Sequence, residues 1–347
     1  MTASLSLRGL AKRYPGGAVG LEPLSLDVAA SELLVVLGQA AAGKTTLLRL
    51  IAGLETPSAG LVRIDGEDVT GRRAGRRPVN LVFQGQALFP HLTAAENVGY
   101  GLGRGRRDPE AVELVRGALA LVGLEAAARM RPDALDDASR RLLAFARALA
   151  RRPRVLLLDN PLAGLVGREH AELLARILAV QRATGLTVLF ATDDPDATLA
   201  AGDRAVVLDA GRMHQAGTPA DLRERPATRH VARYVARLNV FAGRRLAGGG
   251  YAIGDDAPGE AVTLGIAPDR LRPRPSAPAP PSPALAVRAL RPVFQGGVRR
   301  LLAETLDGMP LVVAAPDSLP REGDVLWVTW TTEDIVPLRD DPPARPP

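Results

Sequence analysis

Three apolar runs stand out in the first part of the chain: "LLVVLG" (33–38), "RVLLLD" (154–159) and "LTVLFAT" (186–192). Unbroken apolar runs of this length, without alternation, predict strands covered on both faces, as in a parallel sheet. Between them lie "SRRLLAFARALARR" (139–152) and "REHAELLARILAVQRAT" (168–184), whose apolar positions recur at helical spacing. Alternating strands and helices over residues 1–240 predict an α/β domain, within which residues 94–150 are almost all helical in pattern and form a separate lobe. From 241 to 338 the pattern changes to short strands, "GYAIG", "AVTLGIA", "ALAVRALRPVF", "RRLLAETL", "PLVVAA" and "DVLWVTW", broken by Gly, Asp and Pro. That predicts a small all-β, barrel-like domain. "RPRPSAPAPPSPA" (272–284) is expected to be a linker or loop inside it, and residues 339–347 a disordered tail.

Composition changes this picture little. A length of 347 residues accommodates two domains, and the absence of cysteine rules out disulfides and thiolate metal sites. The N-terminal stretch "MTASLSLRGLAKRY" lacks an apolar h-region and does not read as a signal peptide. No apolar run reaches the roughly 18 residues of a membrane span. The formal charge is +6, but the arginines are scattered and few aromatics interleave them, so a nucleic-acid surface is not expected. Only two lysines occur, Lys12 and Lys44, which makes Lys44 conspicuous.

Lys44 belongs to Gly38-x4-Gly43-Lys44-Thr45, placed after a buried strand and before a helix. That is the context a phosphate loop requires. The backbone from Gly38 through Gln39, Ala40, Ala41, Ala42 and Gly43 into Lys44, Thr45 and Thr46 would wrap a β-phosphate. Lys44 would reach the β- and γ-phosphate oxygens, and the Thr45 hydroxyl would hold Mg²⁺. Alanine disfavours positive φ, so Ala41 and Ala42 are expected to strain the loop. The run "VLLLDNPLAGL" (155–165) delivers Asp159 to a strand end and follows it with Asn160, an amide that cannot take a proton from water.

With these motifs in hand, nearly the whole chain resembles the ATP-binding subunit of a bacterial ABC importer of the polyamine, iron, sulfate and sugar type. "KRYPGG" looks like the loop whose aromatic residue, here Tyr14, stacks on adenine. "VNLVFQGQALFPHLTAAENVGYGL" (79–102) looks like the Q-loop strand and its sequel, in which Gln84 would join Mg²⁺ and the attacking water to the coupling surface. "ARALARRPRVLLLD" looks like the helix leading into the Walker B strand, and Asp159 would be a Mg²⁺ ligand with Thr45 and Gln84. "GTPADLRERPATRHVARYV" (217–235) and "AVTLGIAPDRLRP" resemble the end of the nucleotide domain and part of an OB-like TOBE domain. The resemblance therefore implies a P-loop NTPase domain of ABC type with a helical subdomain, followed by a TOBE domain. It also implies ATP and Mg²⁺ as ligands and membrane permease subunits as partners. A second ABC subunit, as homodimer or heterodimer, and a periplasmic or extracellular substrate-binding protein would complete the system, at the cytoplasmic face of the cell membrane.

The same comparison exposes departures at the sites of chemistry. Where the family signature reads Leu-Ser-Gly-Gly-Gln, this chain has Leu135, Asp136, Asp137, Ala138 and Ser139. Asn160 replaces the catalytic glutamate, Val166 the D-loop aspartate, and Asp193 the switch histidine. None of the four histidines, His91, His170, His214 and His230, lies near the switch position in sequence. Two carboxylates facing a partner's triphosphate would repel it, while Asp136 and Asp137 would cap the helix that follows. Because one chain carries both halves of the damage, pairing with an intact subunit would leave both composite sites impaired. Two readings follow: an importer subunit that hydrolyses ATP slowly, or a non-hydrolysing regulatory or scaffold subunit of the same kind of transporter. A soluble ABC protein acting on nucleic acid or ribosomes is disfavoured by the importer-type tail.

Overall fold

The computed structural model describes residues 5–103, 108–254, 258–279, 282–295 and 297–339. The chain divides into two compact units, Met1–Pro219 and Ala220–Pro347.

The first unit runs β1 (Leu5–Arg13), β2 (Val19–Val28), β3 (Leu33–Leu37), α1 (Lys44–Ala52), β4 (Ala59–Ile64), β5 (Glu67–Asp68), β6 (Val79–Val82), α2 (Ala94–Gly99), α3 (Pro109–Val122), α4 (Asp137–Ala150), β7 (Val155–Asp159), α5 (Gly167–Thr184), β8 (Thr187–Thr192), α6 (Pro195–Ala201), β9 (Arg204–Asp209) and β10 (Arg212–Gly217). A six-stranded sheet in the order β10-β9-β3-β8-β7-β6 forms its centre. Its four pairings from β9 to β6 join parallel neighbours, and β10 closes one edge antiparallel. The three apolar runs are β3, β7 and β8, and every residue of each is buried. A second, antiparallel sheet has the order β2-β1-β4-β5. Leu47, Leu48, Leu50 and Ile51 of α1 share one core with Leu5 and Leu7 of β1 and with Leu34, Leu157 and Leu189 of the parallel sheet. From Leu47 onward α1 is apolar and buried except at Arg49, because two sheets enclose it.

The lobe expected at 94–150 is built from α2, α3 and α4 with short 3₁₀ turns between them. Asn97, fully buried, organises its entry. Its amide donates to the carbonyls of Phe89, Leu92 and Thr93 and its side-chain oxygen accepts from Phe89 N at 2.8 Å. Thr93 and Glu96 close a reciprocal capping box on α2.

The second unit continues with α7 (Pro219–Glu224), α8 (Arg229–Tyr234), β11 (Asn239–Arg245), β12 (Tyr251–Ile253), β13 (Glu260–Ile266), β14 (Arg272–Arg274), β15 (Ala284–Gln295), β16 (Val298–Thr305), β17 (Pro310–Ala314), β18 (Val325–Thr329) and β19 (Ile335–Leu338). It is all-β beyond its two short helices, with sheets in the orders β12-β11-β13-β19 and β14-β18-β15-β16-β17. Phe241, Leu264 and Ile266 from the first sheet and Val287, Leu301, Val313 and Val328 from the second fill one core. Two details depart from the sequence reading. Residues 272–274, assigned to a proline-rich loop, form β14 against β18; β14 is an edge strand, where a proline such as Pro273 need not donate to a ladder. Arg339, assigned to the tail, is ordered: its N–H donates to Ala227 O at 3.1 Å and its carbonyl accepts from Arg229 N at 3.2 Å. The rest of the expected tail, 340–347, lies outside the described residues.

Candidate functional site

Parallel strands present their carboxyl ends on one edge of the sheet, where loops can converge on a ligand. Here β3, β7 and β8 pair in register, with Leu37 opposite Thr192 and Asp159 opposite Ala191. The residues that follow them, Gly38–Thr46, Asn160 and Asp193, therefore meet on that edge. Gln84 lies two residues beyond β6, whose last residue Val82 pairs with Leu158.

The loop after β3 is held tightly. Gly38 N donates to Thr192 O at 3.2 Å. A Cβ at Gly38 would lie 2.5 Å from Leu208 O, and one at Gly43 2.8 Å from Gly20 O, so neither position admits a side chain. Gly43 takes φ 100° at the start of α1. Ala41 adopts φ 63°, the left-handed strain expected of it, at a cost of about 1 kcal/mol. Ala42 is instead buried in the core, and its N–H donates to Gln39 O at 3.2 Å. Gln39, Ala40 and Ala41 are exposed at the rim.

The Lys44 ammonium turns back into the loop and donates to Gly38 O at 2.6 Å and Gln39 O at 2.8 Å. Burial lowers its pKa, and the negative charges of Asp193 and Asp159 oppose that shift. Thr45 Oγ1 donates to Asp159 Oδ1 at 3.1 Å. Burial raises the Asp159 pKa against the effects of Thr45 and Lys44. Tyr14 stands beside the same helix. Its hydroxyl lies 3.2 Å from Thr46 Oγ1, and Lys12 Nζ lies 5.1 Å from its ring centre.

Asn160 sits at φ 49°, a left-handed conformation that asparagine tolerates better than most residues. Its N–H donates to Ala191 O at 2.9 Å and its carbonyl accepts from Ala163 N. Asp193 is exposed on the neighbouring strand end. Asp194 N donates to Thr192 Oγ1 at 3.0 Å, and the Asp194 carboxylate lies 3.4 Å from His170 Nε2. An imidazole that is remote in sequence is thus brought to the loop after β8 by α5. Val166, at the N-cap of α5, makes no side-chain cap and is 80% exposed.

Residues 135–139 form a separate cluster. Leu135 is buried. The Asp136 carboxylate accepts from Ser139 N at 2.7 Å and caps α4; that bond is the largest cause of its lowered pKa. Asp137 is not a cap but the first helical residue. Its carboxylate accepts from Arg141 Nε at 2.9 Å, Gln86 Nε2 at 3.1 Å and Arg140 Nη2 at 3.4 Å. Burial pushes the Asp137 pKa up, but the bonds from Arg141 and Gln86 outweigh it and hold the carboxyl low. Arg141 also donates to Pro161 O at 2.8 Å and Ala163 O at 2.7 Å. Ala138 and Ser139 are half-buried. Among the described residues no hydrogen bond or ion pair joins 135–139 to the loop of 38–46.

Several organising residues escaped the sequence reading. Gln86 (φ 58°) and Ala87 (φ 46°) kink the segment after β6. Arg147 of α4 holds the kink by donating to Gln86 O at 2.9 Å and Ala87 O at 2.7 Å. Arg141 was legible in part, since it lies four residues after Asp137 on a helix; its carbonyl partners carry no sequence signal.

A parallel sheet with a lysine-bearing loop after its central strand, and a carboxylate beside the threonine that follows, defines a P-loop nucleotide-binding fold. The family model described as ABC transporter matches residues 21–163. The chain is 37% identical over 328 residues to a sulfate/thiosulfate import ATP-binding protein of Chromobacterium violaceum, covering 92% of this chain and 89% of the relative. It is 34% identical over 354 residues to a spermidine/putrescine import ATP-binding protein of Thermobifida fusca, covering 95% and 92%. Among solved structures it is similar to cbiO1 of Clostridium perfringens, part of the ABC transporter complex cbiONQ (TM-score 0.60, 26% identity, 64% of this chain and 91% of that one). It is also similar to a dimeric ATP-binding cassette in a post-hydrolysis state bound to ADP and phosphate (TM-score 0.55, 26% identity, 62% and 98%). The chain belongs to the ABC transporter family, among the ATP-binding subunits of import systems.

Proposed function

We propose that this protein is a nucleotide-binding importer subunit that holds Mg-ATP through Lys44, Thr45, Thr46 and Asp159 and hydrolyses it slowly. The observation that carries the reading is the geometry at the strand ends. The elements of phosphate and metal binding are assembled, with Thr45 Oγ1 3.1 Å from Asp159, while the position next to Asp159 holds an amide, Asn160. Hydroxyl and carboxylate oxygens suit Mg²⁺, a hard cation, and Gln84 would approach from β6. Bound there, the ion would neutralise charge on the β- and γ-phosphates. Tyr14 would lie against the base. Asn160 offers no carboxylate to polarise water, and Asp193 no imidazole. The Ser139 N–H at the start of α4 is occupied by Asp136 of the same chain, so it is not open to a partner's γ-phosphate. A missing general base alone slows hydrolysis by ~10²–10⁴-fold.

No helix among the described residues is long and apolar enough to cross a membrane. Docking on permease subunits at the cytoplasmic face of the membrane fits a 580 Å³ cavity in the helical lobe, lined by Leu92, Ala95, Tyr100, Val112, Val115 and Leu119. Its lining takes Leu92, Ala95 and Glu96 from the stretch 79–102 that resembles the Q-loop strand and its sequel. A second ABC subunit and a substrate-binding protein complete this reading, and the all-β unit serves as its TOBE-like domain. The test is steady-state phosphate release by the purified chain with Lys44→Ala as control. The expected rate is at least ~10²-fold below an ordinary family member; robust turnover that depends on Lys44 would refute slow hydrolysis. Failure of Lys44→Ala to weaken ATP binding would refute the site itself. The second reading, a subunit that never hydrolyses, is favoured by the same residues and corresponds to a rate indistinguishable from Lys44→Ala.

A further inference from the structure

The replacements at 160 and 193 both alter the charge at the strand ends. Relative to the pattern the chain resembles, one carboxylate is absent beside Asp159 and one is present at Asp193. The register of the sheet decides what that relocation does. Thr192 is the last residue of β8, lies opposite Leu37, and accepts the Gly38 N–H through its carbonyl. Asp193 therefore leaves the sheet directly alongside the phosphate loop, and it is exposed. Its negative charge, like that of Asp159, opposes the lowering of the Lys44 pKa by burial. The two carboxylates differ in one respect. Asp159 accepts from Thr45, within the pair suited to a metal ion. Asp193 follows a different strand, β8, whose last residue lies opposite the last residue of β3 before the loop.

A nucleotide in this loop has its β-phosphate among the backbone N–H groups and extends any third phosphate past Lys44, toward the ends of β7 and β8. There it meets a neutral amide at Asn160 and an anion at Asp193. A diphosphate ends before that point. Repulsion that acts on one ligand and spares a shorter one is the usual source of discrimination between them. We propose that Asp193 makes this site selective for phosphate number, so that the chain binds nucleoside diphosphate in preference to triphosphate. The inference rests on the nucleotide-binding reading above and specifies which nucleotide state the subunit holds.

Binding of ADP and of the β,γ-imido analogue of ATP is measured by calorimetry in excess Mg²⁺, with the full chain. Two unit charges a few ångströms apart near a protein surface give an expected preference of about tenfold or more for ADP. Asp193→Asn should bring the ratio of the two dissociation constants close to one, and Asp193→Glu, which keeps the charge, should retain most of it. Thermal melting of each variant shows that the fold is kept. The ratio is the readout, because a merely structural role for Asp193 would shift both affinities together. A wild-type chain that binds the triphosphate analogue as tightly as ADP overturns the proposal while leaving the binding site in place. So does an Asp193→Asn variant with an unchanged ratio. Loss of both nucleotides in Lys44→Ala with an ADP preference in the wild type supports both readings; absence of binding for either nucleotide in the wild type overturns both.

Discussion

Replacing Arg141 tests whether the altered signature segment is a structural clamp. The guanidinium donates to Asp137, to Pro161 O and to Ala163 O at 2.7–2.9 Å, and its side chain is only 14% exposed. It thereby ties the start of α4 to the turn that follows Asp159 and Asn160. Arg141→Met keeps most of the aliphatic packing and removes all three bonds. Hydrogen bonds to charged groups contribute about 1.5–3 kcal/mol each when buried. Asp137 is 42% exposed and keeps Arg140 and Gln86, so its share is small. The two carbonyls lose charged donors at a largely shielded site, and the net loss is about 2–3 kcal/mol. The first unit spans Met1–Pro219, a size at which each kcal/mol moves Tm by roughly 2–4 °C. The expected fall is therefore about 4–12 °C, read by scanning calorimetry of the full chain. A cycle with Asp137→Ala should show a coupling of about 1 kcal/mol. A Tm within about 1 °C of wild type, or strict additivity in the cycle, would refute the clamp.

Two further outcomes follow from single residues. Asn160→Glu alone should restore little phosphate release, because Asp193 and the capped α4 remain; it should also cost about 1 kcal/mol by chemical denaturation, since glutamate fits φ 49° less well than asparagine, and a large gain in rate without loss of stability would contradict both points. Asp136→Asn keeps a good N-cap but removes a carboxyl whose folded pKa is lowered. A lowered folded pKa contributes stability that is present above the unfolded value near 3.9 and lost as pH falls through the folded one, so the variant should show a shallower acid limb below about pH 4. Parallel acid limbs for the two proteins would show that the Asp136 charge contributes nothing.

The fold was legible where one short segment carries its own signal. The strands β3, β7 and β8 are unbroken apolar runs because the sheet covers both their faces, and α4 and α5 fall within two residues of their predicted spans. The phosphate loop was legible because its working parts are contiguous. The strand β14 was not: edge pairing through Arg272–Arg274 depends on β18, far along the chain, and a proline-rich composition masks it. The same limit applies in the site. His170 is distant from the switch position in sequence, yet α5 returns it to within 3.4 Å of Asp194. Asp137 reads as a bare charge in the sequence; in the structure Arg141, Arg140 and Gln86 already hold it. The repulsion of a partner's triphosphate expected from the bare residue type would be correspondingly weaker, while Asp136 occupies the Ser139 N–H.

The positions that depart from the family pattern share a physical property: they are not core positions. Asp136, Val166 and Asp193 are exposed, and Asp137, Ala138, Ser139 and Asn160 are half-buried. The loop geometry rests on other residues, namely Gly38, Ala42, Lys44, Asp159 and Thr192, all buried. Changing the first group alters charge and hydrogen bonding at the strand ends without removing apolar burial, so it leaves the principal source of stability intact. Where new side chains carry charge, they are accommodated locally, by a cap at Asp136 and by arginines at Asp137. Residues at the strand ends can therefore change while the scaffold that shapes the loop persists. Membership in the family follows from the scaffold, and the chemistry has to be argued from the strand ends. There one negative charge stands at Asp193 and none beside Asp159, and on the proposal above that difference would change which nucleotide the pocket accepts without removing the pocket.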